Sequence, residues 1–411
     1  MRFLEDLRAG NLDTELWWDS SPSLLPGWLA QLPGQGAAGG TPFHDTRYPL
    51  QSLVGGATTN PRLVADCIQA QPDRWQAEAH RLIDEMPYAP LQSIYWRLYK
   101  SVLGDGAAVL RPLWEASDGR YGWVSAQVDP RDFHDSQRMV QQGVELSALG
   151  PNVMVKVPGS AAGYDAIEQL VTSGISVNGT FSYTLSQLRA CLGAIESGLR
   201  RRRSEPARWR SVFTFMIGRF GSQGDLVDQA HTRGMDLAAN DIRWAEIAMF
   251  RKMLATIDEA GVPVKLLLSS IKADPGTDDD RPVCWHLEKT AGTPVVYTLT
   301  PTLLRSLMAG RYELAGLDRA EAAQEPVPAG VLSRLMALPY FTNAYAPDGL
   351  DASAFHQQGA FIATAAEACA SVRRMHDFIA RAFQARQWRR AGENVPARER
   401  EAAQLTEIRS L

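Results

Sequence analysis

Two spacings of apolar residues alternate along the chain. Short apolar runs, often rich in β-branched side chains, occur at Leu16–Trp18, Leu53–Ala57, Tyr121–Val128, Val153–Val157, Ile175–Phe181, Val212–Ile217, Val264–Ser270 and Val295–Leu299, and each predicts a strand. Between them apolar residues return at helical intervals, over 62–69, 73–86, 91–103, 132–149, 184–203 and 243–259. The run Val153, Met154, Val155, Val157 is apolar on both faces, as a strand buried inside a parallel sheet must be. After it Pro158-Gly159-Ser160 turns the chain. Tyr164, Ile167, Leu170 and Val171 then mark a helix up to Gly174, and the next strand follows. Strand, helix and strand within about 30 residues make a βαβ unit with two parallel neighbouring strands.

One residue breaks the apolar pattern. Lys156 lies inside the Val153–Val157 run. Burial disfavours an ammonium and makes a neutral amine available to attack a carbonyl, which is Schiff-base chemistry. The alternative is a lysine that snorkels from a strand end. Side-by-side strands would make Lys156 and Thr180 neighbours.

With 411 residues the chain can hold a strand-helix barrel of about 250 residues and further helices. The expected fold is α/β, a (βα)8 TIM barrel over residues 1–310 with a C-terminal helical extension over 311–411 packing on it. Residues 31–49, rich in Gly, Ala, Pro and Thr, predict a long early surface loop carrying His44 and Asp45. Residues 311–353, with Pro326, Pro328, Pro339 and Pro347, predict connecting segments over the barrel. Phe361, Ala365, Ala368, Val372, Met375, Ile379 and Phe383 then predict a long amphipathic helix, which can pack on the barrel or on the second subunit of a homodimer. Beyond Ala391 the tail is charged, an exposed helix or disordered.

A formal net charge of −4 gives no reason to expect nucleic acid or an anionic membrane as partner, and a small ligand fits better. Cys67, Cys191, Cys284 and Cys369 are widely spaced, without metal-ligand spacing, and read as reduced thiols. No signal peptide or membrane-length apolar run is present, so a cytoplasmic protein without metal or cofactor is expected. Gly-rich phosphate loops and a GxSxG elbow are absent. The arginines at 200–203, with Arg208 and Arg210, read as a solvated helix end.

In a strand-helix barrel, chemistry collects at the carboxyl ends of the strands. Asp19 closes the first run, where it is either a site carboxylate or the N-cap of the following helix.

The segment VMVKVPGSAAGYDAIEQL followed by GISVNGT resembles the central part of the transaldolase family, class I aldolases that use a strand lysine as the Schiff-base residue. The resemblance covers roughly residues 15–310. It implies Lys156 as the Schiff-base residue, Asp19 as the carboxylate that moves the substrate hydroxyl proton, and Thr180 with Gln127 as holders of a catalytic water. It further implies Asn60, in TTNP, and Asn178 as substrate-binding residues, and Thr214, Arg219, Ser270 and Lys272 as phosphate contacts. Several family members have arginine where this chain has Lys272.

Most transaldolases carry a glutamate at the position of Gln127; the fructose-6-phosphate aldolase branch has glutamine there, and its Gly-Thr resembles Gly179-Thr180. That branch also has a tyrosine where this chain aligns Met216. The implied activity is transfer of a dihydroxyacetone unit from a ketose phosphate to an aldehyde acceptor, as in pentose phosphate and carbohydrate metabolism. Free aldol addition and a specialised biosynthetic aldolase are the chemical alternatives, and a lapsed, sugar-phosphate-binding barrel is the non-catalytic one.

Overall fold

The structure, a computed structural model, describes residues 2–32, 54–203, 206, 208–276, 281–314 and 324–393. Eight parallel strands form a closed barrel in chain order: β1 (Glu15–Trp18), β2 (Val54–Thr58), β3 (Trp123–Gln127), β4 (Val153–Pro158), β5 (Val177–Ser182), β6 (Ser211–Phe215), β7 (Val264–Leu268) and β8 (Val296–Leu299). Closure comes from β1 pairing with β8, Glu15 opposite Val296. The fold is the expected (βα)8 barrel.

Alternation along the strands divides the interior into layers. Trp17, Trp123, Met154, Val212, Leu267 and Val296 form an apolar cluster separate from the core between barrel and helices. The indole of Trp17 lies where a side chain at Gly56 would stand: a Cβ there would be 2.6 Å from Cε2, so this strand position requires glycine. Nearer the amino end, Glu15 is gripped by Arg210 (2.6 and 3.1 Å) and Lys265 (2.8 Å). Two residues further along each strand, toward the carboxyl end, the inward positions turn polar: Ser125, Lys156, Asn178 and Thr214.

The helices that bear on this end are α1 (Pro61–Ala70), α2 (Leu91–Ala116), α3 (Ser136–Ser147), α4 (Ala161–Thr172), α5 (Leu185–Arg201), α6 (Ile217–Gln223), α7 (Ala239–Ala260), α8 (Pro301–Ala309) and α9 (Gly359–Glu393). Helix α9 crosses the barrel end: the Phe361 ring meets Phe181 (5.5 Å) and Phe133 (5.4 Å) edge-on, anchoring the C-terminal segment to the end of β5 and to the turn after β3.

Several boundaries differ from the sequence reading. The sixth strand stops at Phe215 rather than Ile217, because Ile217 opens α6, and Arg219 is therefore helical. The expected helix over 91–103 continues to Ala116 despite Pro112. Residues expected only to connect, 311–353, contain helices Ala329–Met336 and Pro339–Tyr345, each preceded or opened by a proline that suits a helix start. The early loop, with His44 and Asp45, and the tail from 394 on lie outside the described residues apart from Gln31 and Leu32.

Candidate active site

Lys156 points into the barrel while Val155 and Val157 pack outward into the helix shell. Its Nζ donates to Thr58 Oγ1 at 2.9 Å and reaches the Thr59 carbonyl at 3.5 Å. The residue is 4% exposed, so the snorkelling alternative does not hold. Burial brings its pKa from 10.5 down to about 8, against the pull of Asp19 and with help from the Arg219 charge. Roughly a tenth of such an amine is neutral at pH 7.

Asp19 follows β1 at the same end. Burial pushes its carboxyl up, and Lys156, Arg219 and Arg62 each draw it back. It caps no helix: Ser21 precedes the turn Pro22–Leu24, and neither that turn nor helix Leu25–Ala30 has a side-chain cap. Asn60 does cap. Its Oδ1 accepts from Leu63 N at 2.9 Å, which fixes the side chain at the start of α1.

Gln127 is opposite Lys156 in the β3–β4 register, and Asn178 is opposite Lys156 in the β4–β5 register. Asn178 is held at both ends, donating to Ser125 Oγ at 2.8 Å and accepting from Thr214 Oγ1 at 2.7 Å. Thr214 is thus spent inside the barrel, bonded to Asn178 instead of facing the mouth. Gln127 and Thr180 are the reverse case. Both are fully buried, and among the described residues neither the Gln127 amide nor the Thr180 hydroxyl has a hydrogen-bond partner. Buried polar atoms are costly to leave unpaired, so these groups are suited to bind something polar beside the amine. The β5 register slips between Gly179 and Ser182, with Phe181 in the left-handed region (φ 54°); this local distortion sets the path of the strand around Thr180.

Arg219, on α6, is 16% exposed in its side chain and forms an ion pair with Glu367 of α9 at 2.6 Å. Its Nη1 also donates to Gln223 Oε1 (2.9 Å) and Thr364 Oγ1 (3.3 Å). Ser270 has φ 59°, and its carbonyl oxygen would be 2.1 Å from a Cβ at Gly218, so only glycine lets the β7 turn approach α6 this closely. Its neighbour Ser269 carries the buried hydroxyl without a protein partner. Lys272 is fixed through its backbone N–H, which donates to His286 Nδ1 (3.1 Å), while the buried Nε2 of His286 meets Glu246 at 2.8 Å. Burial lowers the Lys272 pKa.

Thr58, Ser269, Arg62 and Glu367 were not singled out from the sequence. Inward parity along β2 and β7 marks the first two, since Thr58 follows Gly56 and Ser269 follows Leu267 by two residues. No local pattern marks Glu367. Among the described residues, no group of His, Cys, Asp and Glu could hold a metal, and no helix is long and apolar enough to cross a membrane.

Fold and site together define a (βα)8 barrel with a buried strand lysine in a polar layer below the carboxyl ends of its strands. The profile of the Transaldolase/Fructose-6-phosphate aldolase family matches residues 46–352, and the chain belongs to that family. Among similar curated proteins, Transaldolase 2 of Streptomyces avermitilis is 30% identical over 180 residues, 43% of this chain and 48% of that one. Transaldolase 1 of Streptomyces coelicolor is 40% identical over 124 residues, 29% of this chain and 32% of that one. Transaldolase of Mycobacterium ulcerans is 30% identical over 186 residues, 43% and 49% respectively. The chain thus spans half or less of the length of these relatives.

Proposed function

We propose that the protein is a class I aldolase of the transaldolase type, moving a dihydroxyacetone unit from a ketose donor to an aldehyde acceptor through a Schiff base on Lys156. The observation that carries this reading is the Lys156 amine, buried and lowered to about pKa 8 beside a carboxylate that it does not bond directly.

The neutral amine attacks the donor ketone to give a carbinolamine, which loses water to form an iminium. Asp19 takes the proton of the hydroxyl next to the breaking carbon–carbon bond, the electron pair of that bond passes to the iminium to form an enamine, and an aldehyde leaves. The enamine then attacks the acceptor aldehyde, whose oxygen receives the proton from Asp19. Water returns to the iminium, and the product is released with Lys156 free. Gln127 and Thr180 hold the water of both carbinolamine steps; an amide orients water but carries no proton as a carboxylate does. Asn60, through its amide N–H groups, and Asn178 orient donor hydroxyls, converting binding into alignment. Lys272, with Ser270 beside it, is the cation open to a donor phosphate, and Arg219 reaches one only by giving up its ion pair with Glu367.

Gln127 bears on whether the unit is transferred or added as a free ketone. Product analysis by NMR with a ketose donor, with and without an added aldehyde, tests this. Transfer gives a new ketose only when acceptor is present, whereas release of free dihydroxyacetone at the same rate without acceptor would contradict it.

A further inference from the structure

The guanidinium of Arg219 is already engaged by an anion that belongs to the chain itself. Glu367 Oε2 is 2.6 Å from Arg219 Nη1, and Glu367 Oε1 is 2.9 Å from Arg62 Nη1. One carboxylate from α9 therefore links α1, which follows β2, to α6, which follows β6, across the end of the barrel where Lys156 opens. The surrounding contacts fix it there. Thr364, one turn earlier on α9, accepts from Arg219 at 3.3 Å and shares a 2.5 Å hydrogen bond with the buried Tyr183 hydroxyl. Burial works against the Glu367 charge, yet the Arg219 and Arg62 partners prevail and hold its carboxyl below the usual range.

Thr214 is committed to Asn178 and Arg219 to Glu367, so of the four expected phosphate contacts Ser270 and Lys272 are the two whose side chains make no hydrogen bond or ion pair among the described residues. A phosphate seated on Arg219 Nη1 would have to displace Glu367 and lie against that carboxylate, and like charges at this range repel.

We propose that Glu367 is a specificity-determining residue: it occupies the anion seat on Arg219 and so biases the site toward donors that end in a hydroxyl rather than a phosphate. The proposal rests on the aldolase reading for its substrate class, but occupation of the seat does not depend on it. Arg62 modulates the effect, because it shares Glu367 and loosens its hold on Arg219.

Two measurements separate the two ideas. Inorganic phosphate binding, followed by calorimetry, needs no Schiff base. Wild type is expected to bind it at least about tenfold more weakly than Glu367→Gln, the gain is expected to vanish in Glu367→Gln/Arg219→Met, and Arg62→Met is expected to bind more weakly than wild type. The second measurement is the ratio of kcat/KM for fructose 6-phosphate to that for fructose, which should rise about tenfold in Glu367→Gln, through the KM of the phosphorylated donor. Unchanged phosphate affinity in a folded Glu367→Gln protein, with Arg62→Met also unchanged, overturns the proposal. Tighter phosphate binding in Glu367→Gln without turnover of either donor supports the anion seat and overturns the aldolase reading instead.

Discussion

Gln127 and Lys156 face each other across the β3–β4 register, and the Gln127 amide is buried with neither its oxygen nor its nitrogen bonded to any described residue. A carboxylate at that position would be able to relay protons, and its charge would favour the ammonium form of Lys156. Gln127→Glu is therefore expected to raise acceptor-dependent transfer by about tenfold and to move the rising limb of the pH profile above pH 8. Rate-against-pH curves with and without acceptor check both effects. No gain in a folded variant would remove water handling from the account of this position.

The pH dependence of the wild type follows from the same amine. Below its pKa of about 8 the neutral fraction, and with it kcat/KM, should climb tenfold per pH unit and then level off. Asp19 is the charge that resists the lowering of the Lys156 pKa. Asp19→Asn should accordingly shift the midpoint to lower pH while cutting kcat about 100- to 10,000-fold, the range of a positioned acid-base group. A midpoint that stays in place would separate Asp19 electrostatically from Lys156.

Holding Lys156 in this setting also has a stability consequence. A fall in pKa from 10.5 to about 8 amounts to ~3 kcal/mol against the protonated folded state at neutral pH. Lys156→Met removes that penalty but leaves Thr58 Oγ1 without its donor, a loss of ~1 kcal/mol. The variant should be about 1–2 kcal/mol more stable at pH 7 by urea denaturation. Between pH 8 and 10.5 the folded wild type has lost its proton while the unfolded chain still binds one, so wild-type stability rises with pH and the difference closes. A gap that grows over that range would contradict the assigned pKa.

Much of the barrel could be read from the sequence because strands buried on both faces leave continuous apolar runs, and a lysine inside such a run stands out. The eight runs correspond to the eight strands to within a few residues. Ends were less legible: hydrophobicity does not distinguish the last strand residue from the first buried helix residue, and Ile217 is the latter. Within the site, residues on one strand or on neighbouring strands could be grouped from parity and from the βαβ rule. Parity also favours Ser269 over Ser270 as the inward hydroxyl just past β7. The Ser125–Asn178–Thr214 chain, which draws Thr214 inward, depends on the barrel being closed around it. Glu367 was out of reach altogether, since on α9 it is one polar residue on an amphipathic helix, and its meaning comes from Arg219 and Arg62, far away in the chain.

The most direct measurement is chemical. Sodium borohydride added in the presence of dihydroxyacetone should reduce an imine to a stable secondary amine, and digestion with mass spectrometry should find that adduct on the peptide containing Lys156 and nowhere in Lys156→Met. An unmodified Lys156 peptide in wild type, or the same labelling in Lys156→Met, would contradict the account.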